Sequence, residues 1–270
     1  MVNDFSKESI EKKLNNSSVH INFFENIDST MLESKRIIYN CLDFHNTVVV
    51  ATEQTSGKGR LGRSFYSPKH GGLYFSLILS NEIIENPAVI TANVATAVCR
   101  GIKSVYNKSC QIKWVNDLLL NNKKVCGILT EGIINPETNK IDTVIIGIGI
   151  NIFVDENEVP CELKDIIGGI VDSKSDIKKT ELLCSVLENI FFIFKNQENR
   201  SAALLEYKSN SALIGKKIKV YPVINQMDNY YFCTVEDVSD DAKLIVRTET
   251  NEVKYLDSGE VSIFSQNITE

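Results

Sequence analysis

Continuous apolar runs rich in β-branched residues are spaced along the chain up to residue 152. Such runs, bounded by polar or glycine-rich segments, are typical of buried strands. They are TVVVATEQ at 47–54, GGLYFSLILS at 71–80 and DTVIIGIGINI at 142–152. The stretch DLLLNNKKVCGILTEGI at 117–133 predicts a hairpin that turns at Asn121-Asn122, because asparagine tolerates the positive φ of a tight turn.

Segments with helical spacing separate these runs. In NPAVITANVATAVCRGIKSVY, apolar residues recur every four positions, which predicts a helix with one face on the core. Asn86 is a good N-cap for this helix, and Pro87 suits its first turn. The segment DSTMLESKRIIYN predicts a shorter helix that begins at Asp28 or Ser29. The predicted helices cover 28–40, 86–106, 180–196 and 200–209.

The pattern changes after Ile214. Short strand-like segments separated by turn residues follow about every ten positions, which is typical of a small β-barrel. Residues 1–20 are polar and mixed in charge, and we expect a short leader that forms one helix. The predicted fold class is α+β. It consists of a mixed β-sheet flanked by helices at 21–213 and a small C-terminal β-barrel at 214–270.

Composition and charge narrow the possible functions. The 270 residues carry a net charge of −6, with an isoelectric point of about 5.3, which does not favour general nucleic-acid binding. No apolar run reaches the roughly 18 residues of a membrane span, and the N-terminus lacks the apolar core of a secretory signal. Seven cysteines without a C-x-x-C pair indicate reduced thiols, and three widely spaced histidines predict no protein metal site. We therefore expect a cytoplasmic protein.

The loop GKGRLGRSF at 57–65 carries the first candidate chemistry. Its glycines spell the G-x-G-x-x-G of a dinucleotide-binding turn, but that motif must open a helix, and RSFYSPKHGG follows instead. The loop also lacks the Gly-Lys-Ser/Thr of a phosphate-binding P-loop. Two interpretations remain open, an exposed basic loop and an anion-binding loop. Glycines would let the backbone approach an anion, and Lys58, Arg60 and Arg63 would supply positive charge.

Together, several motifs in one order resemble the biotin–protein ligase family. They are DST at 28–30, EQTSGKGRLGRSF at 53–65, GGLYFSLIL at 71–79, KWVNDLLLNNKKVCGIL at 113–129, GIGINI at 147–152 and GEVSIF at 259–264. The family pattern is G-R-G-R-x-G-R-x-W, then K-W-P-N-D-L, then G-I-G-x-N. Four positions depart from the family: Lys58 replaces arginine, Phe65 replaces tryptophan, Val115 replaces proline, and Phe264 stands where some members have a basic residue.

The resemblance covers residues 22 to the end and implies both a fold and an activity. The implied fold is a class II synthetase-like catalytic domain with an SH3-like C-terminal barrel. The implied enzyme activates biotin with ATP and Mg²⁺ to biotinyl-5′-AMP. It then transfers biotin to one lysine of a biotin carboxyl carrier protein domain, acting as a monomer or a homodimer.

Site residues are implied by the same match. The implied catalytic residues are Arg60, Lys113, Asp117 and Lys124. The implied biotin-binding residues are Ser29, Thr30, Gln54, Lys58, Gly59, Arg60, Tyr74, Lys124 and Gly127. The implied nucleotide-binding residues are Gly57, Lys58, Arg60, Arg63, Phe65, Trp114, Asn116, Asp117 and Asn151.

The residue types suit these roles. Arg60 can balance phosphate charge, and the family match places Lys124 at the biotin carbonyl and the adenylate. Asp117 could orient the incoming lysine amine, accept its proton or help to hold Mg²⁺. Trp114, with Phe65 as a partner, offers an aromatic wall for biotin or adenine.

Two other functions compete with this interpretation. A lipoate or octanoate transferase of the same superfamily is disfavoured by the KWVNDL motif and the basic glycine loop. A biotin-responsive repressor would need a DNA-binding module, and residues 1–20 are too few for a helix-turn-helix domain. We therefore expect a ligase that binds neither DNA nor membranes.

Overall fold

A seven-stranded mixed sheet organises most of the chain. The computed structural model describes residues 5–14, 16–40, 44–80, 86–135, 137, 139–221, 229–257 and 260–263. The strands, in chain order, are β1 (His20–Ile27), β2 (Thr47–Gln54), β3 (Gly72–Ser80), β4 (Gln111–Lys113), β5 (Asp117–Leu120), β6 (Lys123–Asn135) and β7 (Lys140–Asn151). Their order in the sheet is β1-β2-β3-β7-β6-β5-β4. Only β1 and β2 pair in parallel among these strands, which confirms the predicted mixed sheet.

Five α-helices accompany the sheet in the described ranges. They are α1 (Lys7–Leu14), α2 (Thr30–Asn40), α3 (Pro87–Tyr106), α4 (Lys179–Phe194) and α5 (Gln197–Ser209). The four helices predicted from periodicity are confirmed, and the side chain of Asn86 caps α3 by accepting the Ala88 N–H. None of the helices in the described part of the chain is long and apolar enough to cross a lipid bilayer.

The two faces of β7 carry different side chains. Successive side chains of a strand point to opposite faces, so Ile146, Ile148 and Ile150 share one face and Gly147 and Gly149 the other. The isoleucines belong to the main hydrophobic core, which also contains residues of α3 and α4. The glycine face is therefore the face on which a ligand could approach the sheet.

The β5–β6 hairpin turns as the sequence predicts. Asn121 and Asn122 have φ angles of 52° and 62°. Both values lie in the left-handed region that a two-residue hairpin turn requires. This turn pairs Leu119 with Lys124, and a one-residue register shift beyond Leu119 then places Asp117 opposite Gly127.

The described residues 5–14 and 16–27 are packed into the fold, unlike the polar leader predicted for residues 1–20. Ile10 of α1 is fully buried and Leu14 is nearly so, and α1 packs against α4 and β1. Strand β1 was not predicted, because HINFFENI has two adjacent phenylalanines instead of an alternating pattern. Its hydrogen bonds to β2, which lies farther along the chain, stabilise it as an edge strand.

A second sheet forms at the C-terminus. Its strands are β8 (Lys217–Tyr221), β9 (Tyr231–Val238), β10 (Leu244–Thr248), β11 (Val253–Leu256) and β12 (Glu260–Ile263). The order is β11-β10-β9-β8-β12, and every pair is antiparallel. Pairing between β11 and β12, which would close a barrel, is not found in the ranges that the structure describes. The division of the chain at residues 20 and 213 stays a prediction.

Candidate functional site

A small cavity of about 40 Å³ lies on the glycine face of the first sheet. Nine of the residues selected from the sequence line it. They are Thr30, Gln54, Lys58, Gly59, Arg60, Phe65, Asn116, Lys124 and Gly127. The other lining residues are Met31, Ile128, Leu129, Gly147, Ile148 and Gly149, which sequence reasoning did not select.

Glycines form the floor of this cavity. Gly127 and Gly149 are register partners on β6 and β7, and the Phe65 ring lies over them. A Cβ atom on Gly149 would lie 2.4 Å from a ring carbon of Phe65, and one on Gly127 would lie 3.0 Å from it. The absence of a side chain at Gly127 and Gly149 leaves room for a flat group to lie against β6 and β7. The two-residue spacing of the glycines in GIGIN was the sequence signal for this floor.

The loop 57–65 closes on itself above the cavity. The Gly59 N–H donates to the Arg63 carbonyl at 2.8 Å, and the Phe65 N–H donates to the Gly57 carbonyl at 3.0 Å. A short 3₁₀ turn at Arg60–Gly62 forms the tip. No α-helix follows it, since the next regular element is β3, and this confirms that the G-x-G-x-x-G is not a dinucleotide fingerprint.

Four polar side chains link the loop to the β5–β6 hairpin. Arg60 Nη1 donates to Asn116 Oδ1 at 2.8 Å, and Asn116 Nδ2 donates to Asp117 Oδ1 at 3.0 Å. Lys124 Nζ lies 2.8 Å from the same Asp117 oxygen. The side chains of Lys124 and Asp117 are only 26% and 24% exposed, so solvent screens this ion pair incompletely. The arrangement places two cations and one carboxylate at the same end of the cavity.

The opposite end of the cavity is neutral and polar. Gln54 Oε1 accepts the Thr30 N–H at 2.9 Å and the Thr30 hydroxyl at 3.2 Å. Ser76, which the sequence did not single out, donates to Thr30 Oγ1 at 2.8 Å. Gln54 Nε2 donates to Ser67 Oγ at 3.0 Å, so both ends of this amide are held.

Ser29 precedes Thr30 in the chain but does not itself line the cavity. It is fully buried, and its hydroxyl has no hydrogen-bond partner. The sequence favoured Ser29 or Asp28 as the N-cap of α2, but the Asp28 carboxylate accepts the Ser29 N–H instead. A buried hydroxyl without a partner loses about 1–3 kcal/mol of solvation, which a hydrogen-bonding ligand would restore.

Tyr74 and Asn151 lie in a neighbouring cavity of about 160 Å³. The Tyr74 hydroxyl donates to the Pro68 carbonyl at 3.0 Å, and burial raises the pKa of Tyr74 well above its usual value. The Tyr74 ring centroid is 6.4 Å from that of Phe65, so the two cavities are adjacent. Asn151 Nδ2 donates to the Lys124 carbonyl at 3.4 Å.

The structure does not support Trp114 as an aromatic wall of the site. The residue is 5% exposed, and its Nε1–H donates at 2.8 Å to the carbonyl of Ala242, in the turn between β9 and β10 of the second sheet. The side chain therefore joins the two sheets and does not line the cavity. Phe65 alone supplies an aromatic ring from the predicted pair.

Other selected residues lie near the cavity without lining it. Lys113 is on β4, opposite Asp117 in the register. Arg63 is exposed, and its backbone closes the loop. A Cβ atom on Gly57 would lie 2.6 Å from the Phe65 carbonyl, so this glycine permits the close return of the chain.

The segment of the chain that forms the cavity matches a known protein family. The model described as "Biotin/lipoate A/B protein ligase family" matches residues 24–151. This segment belongs to that family. The segment includes both ends of the cavity, the glycine floor and the loop. The family domain therefore contains every residue that lines the candidate site.

Curated relatives and a solved structure extend the family match. The "Bifunctional ligase/repressor BirA" of Bacillus subtilis (strain 168) is 38% identical over 148 residues, which are 54% of this chain and 45% of its own. The protein of that name from Bacillus spizizenii is 35% identical over 179 residues, 66% of this chain and 53% of its own. The chain spans about half the length of these relatives. The biotin protein ligase from Aquifex aeolicus in complex with biotin and ATP has a TM-score of 0.69 at 26% identity, covering 91% of this chain and 98% of that chain.

Two of the four departures from the biotin–protein ligase pattern lie in the cavity of this family domain. Lys58 lines it from the loop, and Phe65 covers the glycine floor. Val115 is buried beside Trp114, away from the cavity. Phe264 lies outside the described residues.

Proposed function

We propose that this chain is a biotin–protein ligase that acts through biotinyl-5′-AMP. One observation carries the proposal: the cavity has a neutral hydrogen-bonding end and a charged end, joined by a glycine floor. The functional groups of biotin match these two ends. Its ureido ring forms hydrogen bonds with neutral donors and acceptors, and its reactive carboxylate is at the other end of the molecule. The family match and the Aquifex aeolicus structure with biotin and ATP support the proposal.

The neutral end suits the ureido ring. The Ser29 hydroxyl, which has no partner, can donate to the ureido oxygen or accept from its N–H. The Thr30–Gln54 pair is held on both sides, because Gln54 donates to the Ser67 hydroxyl and Thr30 accepts from Ser76, which fixes the orientation of its polar atoms. These groups are in place before the ligand binds, which reduces the entropy cost of binding.

The cavity must open to admit biotin. Its 40 Å³ is far below the roughly 300–1,000 Å³ of typical small-molecule sites. Phe65 occupies the space above Gly127 and Gly149. Its loop is held by backbone hydrogen bonds, by Arg60 and by the ring contacts of Phe65 with Lys124 and Tyr74. Movement of Phe65 with the loop would expose the glycine floor and leave the polar end intact.

The charged end suits adenylate formation. In this step a carboxylate oxygen of biotin bonds to the α-phosphorus of ATP, while the bond from that phosphorus to the bridging oxygen of pyrophosphate breaks. Negative charge is concentrated around the α-phosphate, and Lys124 and Arg60 can stabilise it. Asp117 holds Lys124 at 2.8 Å and so positions its ammonium group before the substrates arrive.

The second step needs a base. The neutral amine of the carrier lysine attacks the acyl carbon, the bond from that carbon to the AMP oxygen breaks, and the amine loses a proton. Asp117 is the carboxylate nearest to this end of the cavity among the residues with described contacts. Once Lys124 binds the adenylate, the Asp117 carboxylate is available to orient the amine and accept its proton.

Magnesium fits this site as a companion of ATP. No group of three acidic, histidine or cysteine side chains able to hold a metal exists in the described ranges. Among the described residues, Asp117 is the carboxylate found at the charged end, and Mg²⁺ is commonly held by one carboxylate and the substrate phosphates. Bound there, the ion would neutralise phosphate charge.

Lipoate or octanoate transfer is the runner-up within the family. Neither acid has a ureido group, since the ring of lipoate carries sulfur atoms and octanoate is a plain alkyl chain. Neither would therefore give the Ser29 hydroxyl the hydrogen bond that it lacks. The names of the two Bacillus relatives include a repressor function, but the net charge of −6 gives DNA binding no support here. A gel shift with biotin and ATP should show no discrete operator complex.

Pyrophosphate release tests the proposed first step. We expect release that requires both biotin and MgATP, together with a product of the mass of biotinyl-5′-AMP. Octanoate and lipoate, each supplied in place of biotin, are the comparison substrates. Faster release with either acid than with biotin would contradict the proposal.

Replacement of Ser29 tests the neutral end. Ser29→Ala should weaken biotin binding about five- to tenfold, the equivalent of one hydrogen bond, and raise the free energy of unfolding by about 1 kcal/mol. Calorimetric titration and denaturant unfolding measure the two effects. Ser34→Ala is the control, since the Ser34 hydroxyl is equally buried but already donates to the Thr30 carbonyl in the same helix. If Ser29→Ala binds biotin as tightly as the native chain, Ser29 does not contact biotin.

Replacement of Gly149 tests the glycine floor. Gly149→Val should reduce biotin affinity at least about tenfold, because the side chain would occupy the space now held by the Phe65 ring. Ile146→Val, on the core face of the same strand, should leave affinity unchanged at a cost of about 1 kcal/mol in stability. Equal affinities in the two variants would contradict the proposed floor.

A further inference from the structure

A second group of basic side chains surrounds a separate cavity of about 370 Å³ at the start of α4. Lys69, His70, Lys174 and Lys179 line it, with Glu25 also on the wall. The first three also line the cavity that contains Tyr74 and Asn151. The proposed ligase chemistry uses none of these residues.

Lys179 is the unusual member of this group. Only 8% of it is exposed, yet no carboxylate within the described ranges forms an ion pair with it. Its ammonium group donates a hydrogen bond to the Lys69 carbonyl at 3.5 Å and lies 5.4 Å from the centroid of the Phe5 ring. Burial lowers its pKa to about 8, because the cost of removing the charge from water exceeds the attraction of Glu25, which acts in the opposite direction.

The position of Lys179 adds a second unfavourable interaction. It is the first residue of α4, a helix of 16 residues. The N-terminus of a helix carries partial positive charge and repels a cation. A bound anion would be attracted to the helix end and to the ammonium group, and would relieve both unfavourable interactions.

We propose that this cavity binds a multiply charged phosphate group. Lys179 is its buried cation, and the exposed Lys69 and Lys174 add charge at the mouth. A lysine ammonium group binds phosphate as a point charge. The described residues that line this cavity include no arginine, whose planar group would favour a carboxylate. Lys174 also pairs with Asp155 at 3.3 Å, and Glu25 lies on the wall, so the phosphate sits beside Lys179.

Labelling with pyridoxal 5′-phosphate tests this site directly. The aldehyde condenses with a lysine amine, water leaves, and borohydride reduces the imine to a stable secondary amine. Peptide mapping should find Lys179 labelled at least about tenfold more by pyridoxal 5′-phosphate than by pyridoxal, and protected by pyrophosphate. Equal labelling by the two aldehydes, or no protection, would overturn the proposal.

A pair of variants provides an independent test. Lys179→Met keeps the apolar stem and removes the charge, so its melting temperature without phosphate should rise by about 2 °C or more. Pyrophosphate should raise the melting temperature of the native chain and of Lys195→Met, an exposed lysine at the other end of α4, but not that of Lys179→Met. A lower melting temperature in Lys179→Met, or a retained pyrophosphate shift, would overturn the proposal.

The same measurements separate this site from the proposed ligase site. Lys124→Ala changes the charged end of the first cavity and should keep the pyrophosphate shift if the phosphate binds beside Lys179. Loss of the shift in Lys124→Ala with retention in Lys179→Met would assign the phosphate to the first cavity and overturn the proposal. Neither result depends on whether the chain transfers biotin.

Discussion

Lys124→Ala should reduce biotin-dependent pyrophosphate release by about 100- to 1,000-fold. The variant loses a positive charge at the position where charge develops in the transition state, and such groups contribute effects of this size. It also leaves Asp117 without the ammonium group now 2.8 Å away, so an uncompensated carboxylate would face the phosphates. Both changes oppose adenylate formation. A continuous assay of pyrophosphate with saturating biotin and MgATP measures the effect.

The control for this prediction is the neighbouring lysine. Lys123 is on the same strand, and its ammonium group donates to the Lys164 carbonyl at 3.1 Å, away from the cavity. Lys123→Ala should keep release within about twofold of the native rate, since exposed polar contacts contribute little. If both variants retain near-native release, Lys124 has no role in the first step.

Arg60→Gly should release the adenylate into solution. Arg60 lines the cavity and holds the loop to Asn116 through its 2.8 Å hydrogen bond. Loss of a charged hydrogen bond of about 1.5–3 kcal/mol corresponds to about 10- to 100-fold faster escape of biotinyl-5′-AMP. The free adenylate would then acylate amines at random. Mass spectrometry should find biotin on many lysines of a bystander protein as well as on the carrier.

Leu61→Gly separates the charge of Arg60 from the stiffness of the loop. Leu61 has a φ of 60° and is exposed, so glycine suits its backbone conformation and leaves Arg60 in place. This variant should label only the carrier. Random labelling by Leu61→Gly at the level of Arg60→Gly would mean that loop flexibility, and not the guanidinium group, controls retention.

Strong local patterns explain what the sequence could predict. Strands β2, β3 and β7 are long apolar runs, and α3 combines a four-residue repeat with an N-cap and a proline. The hairpin was predictable because Asn121-Asn122 favours one turn type. Nine cavity residues were found because the motifs that contain them lie in a recognisable order.

Long-range contacts explain what the sequence could not predict. Trp114 lies within a site motif, but its N–H donates to a carbonyl 128 residues farther along the chain, which no local pattern reveals. Strand β1 depends on pairing with β2, and the burial of Ile10 depends on α4. Ser76 is a small polar residue in an apolar run, and only the fold places it beside Thr30.

Transfer of biotin to protein is the central claim, and intact-mass analysis of a biotin carboxyl carrier domain tests it most directly. The domain is incubated with this protein, biotin and MgATP, and the modified lysine is located by peptide mapping. We predict a gain of one biotin on a single lysine, with none when ATP is omitted. A carrier of unchanged mass beside active enzyme, or one modified by octanoate or lipoate in preference to biotin, would contradict the proposed function.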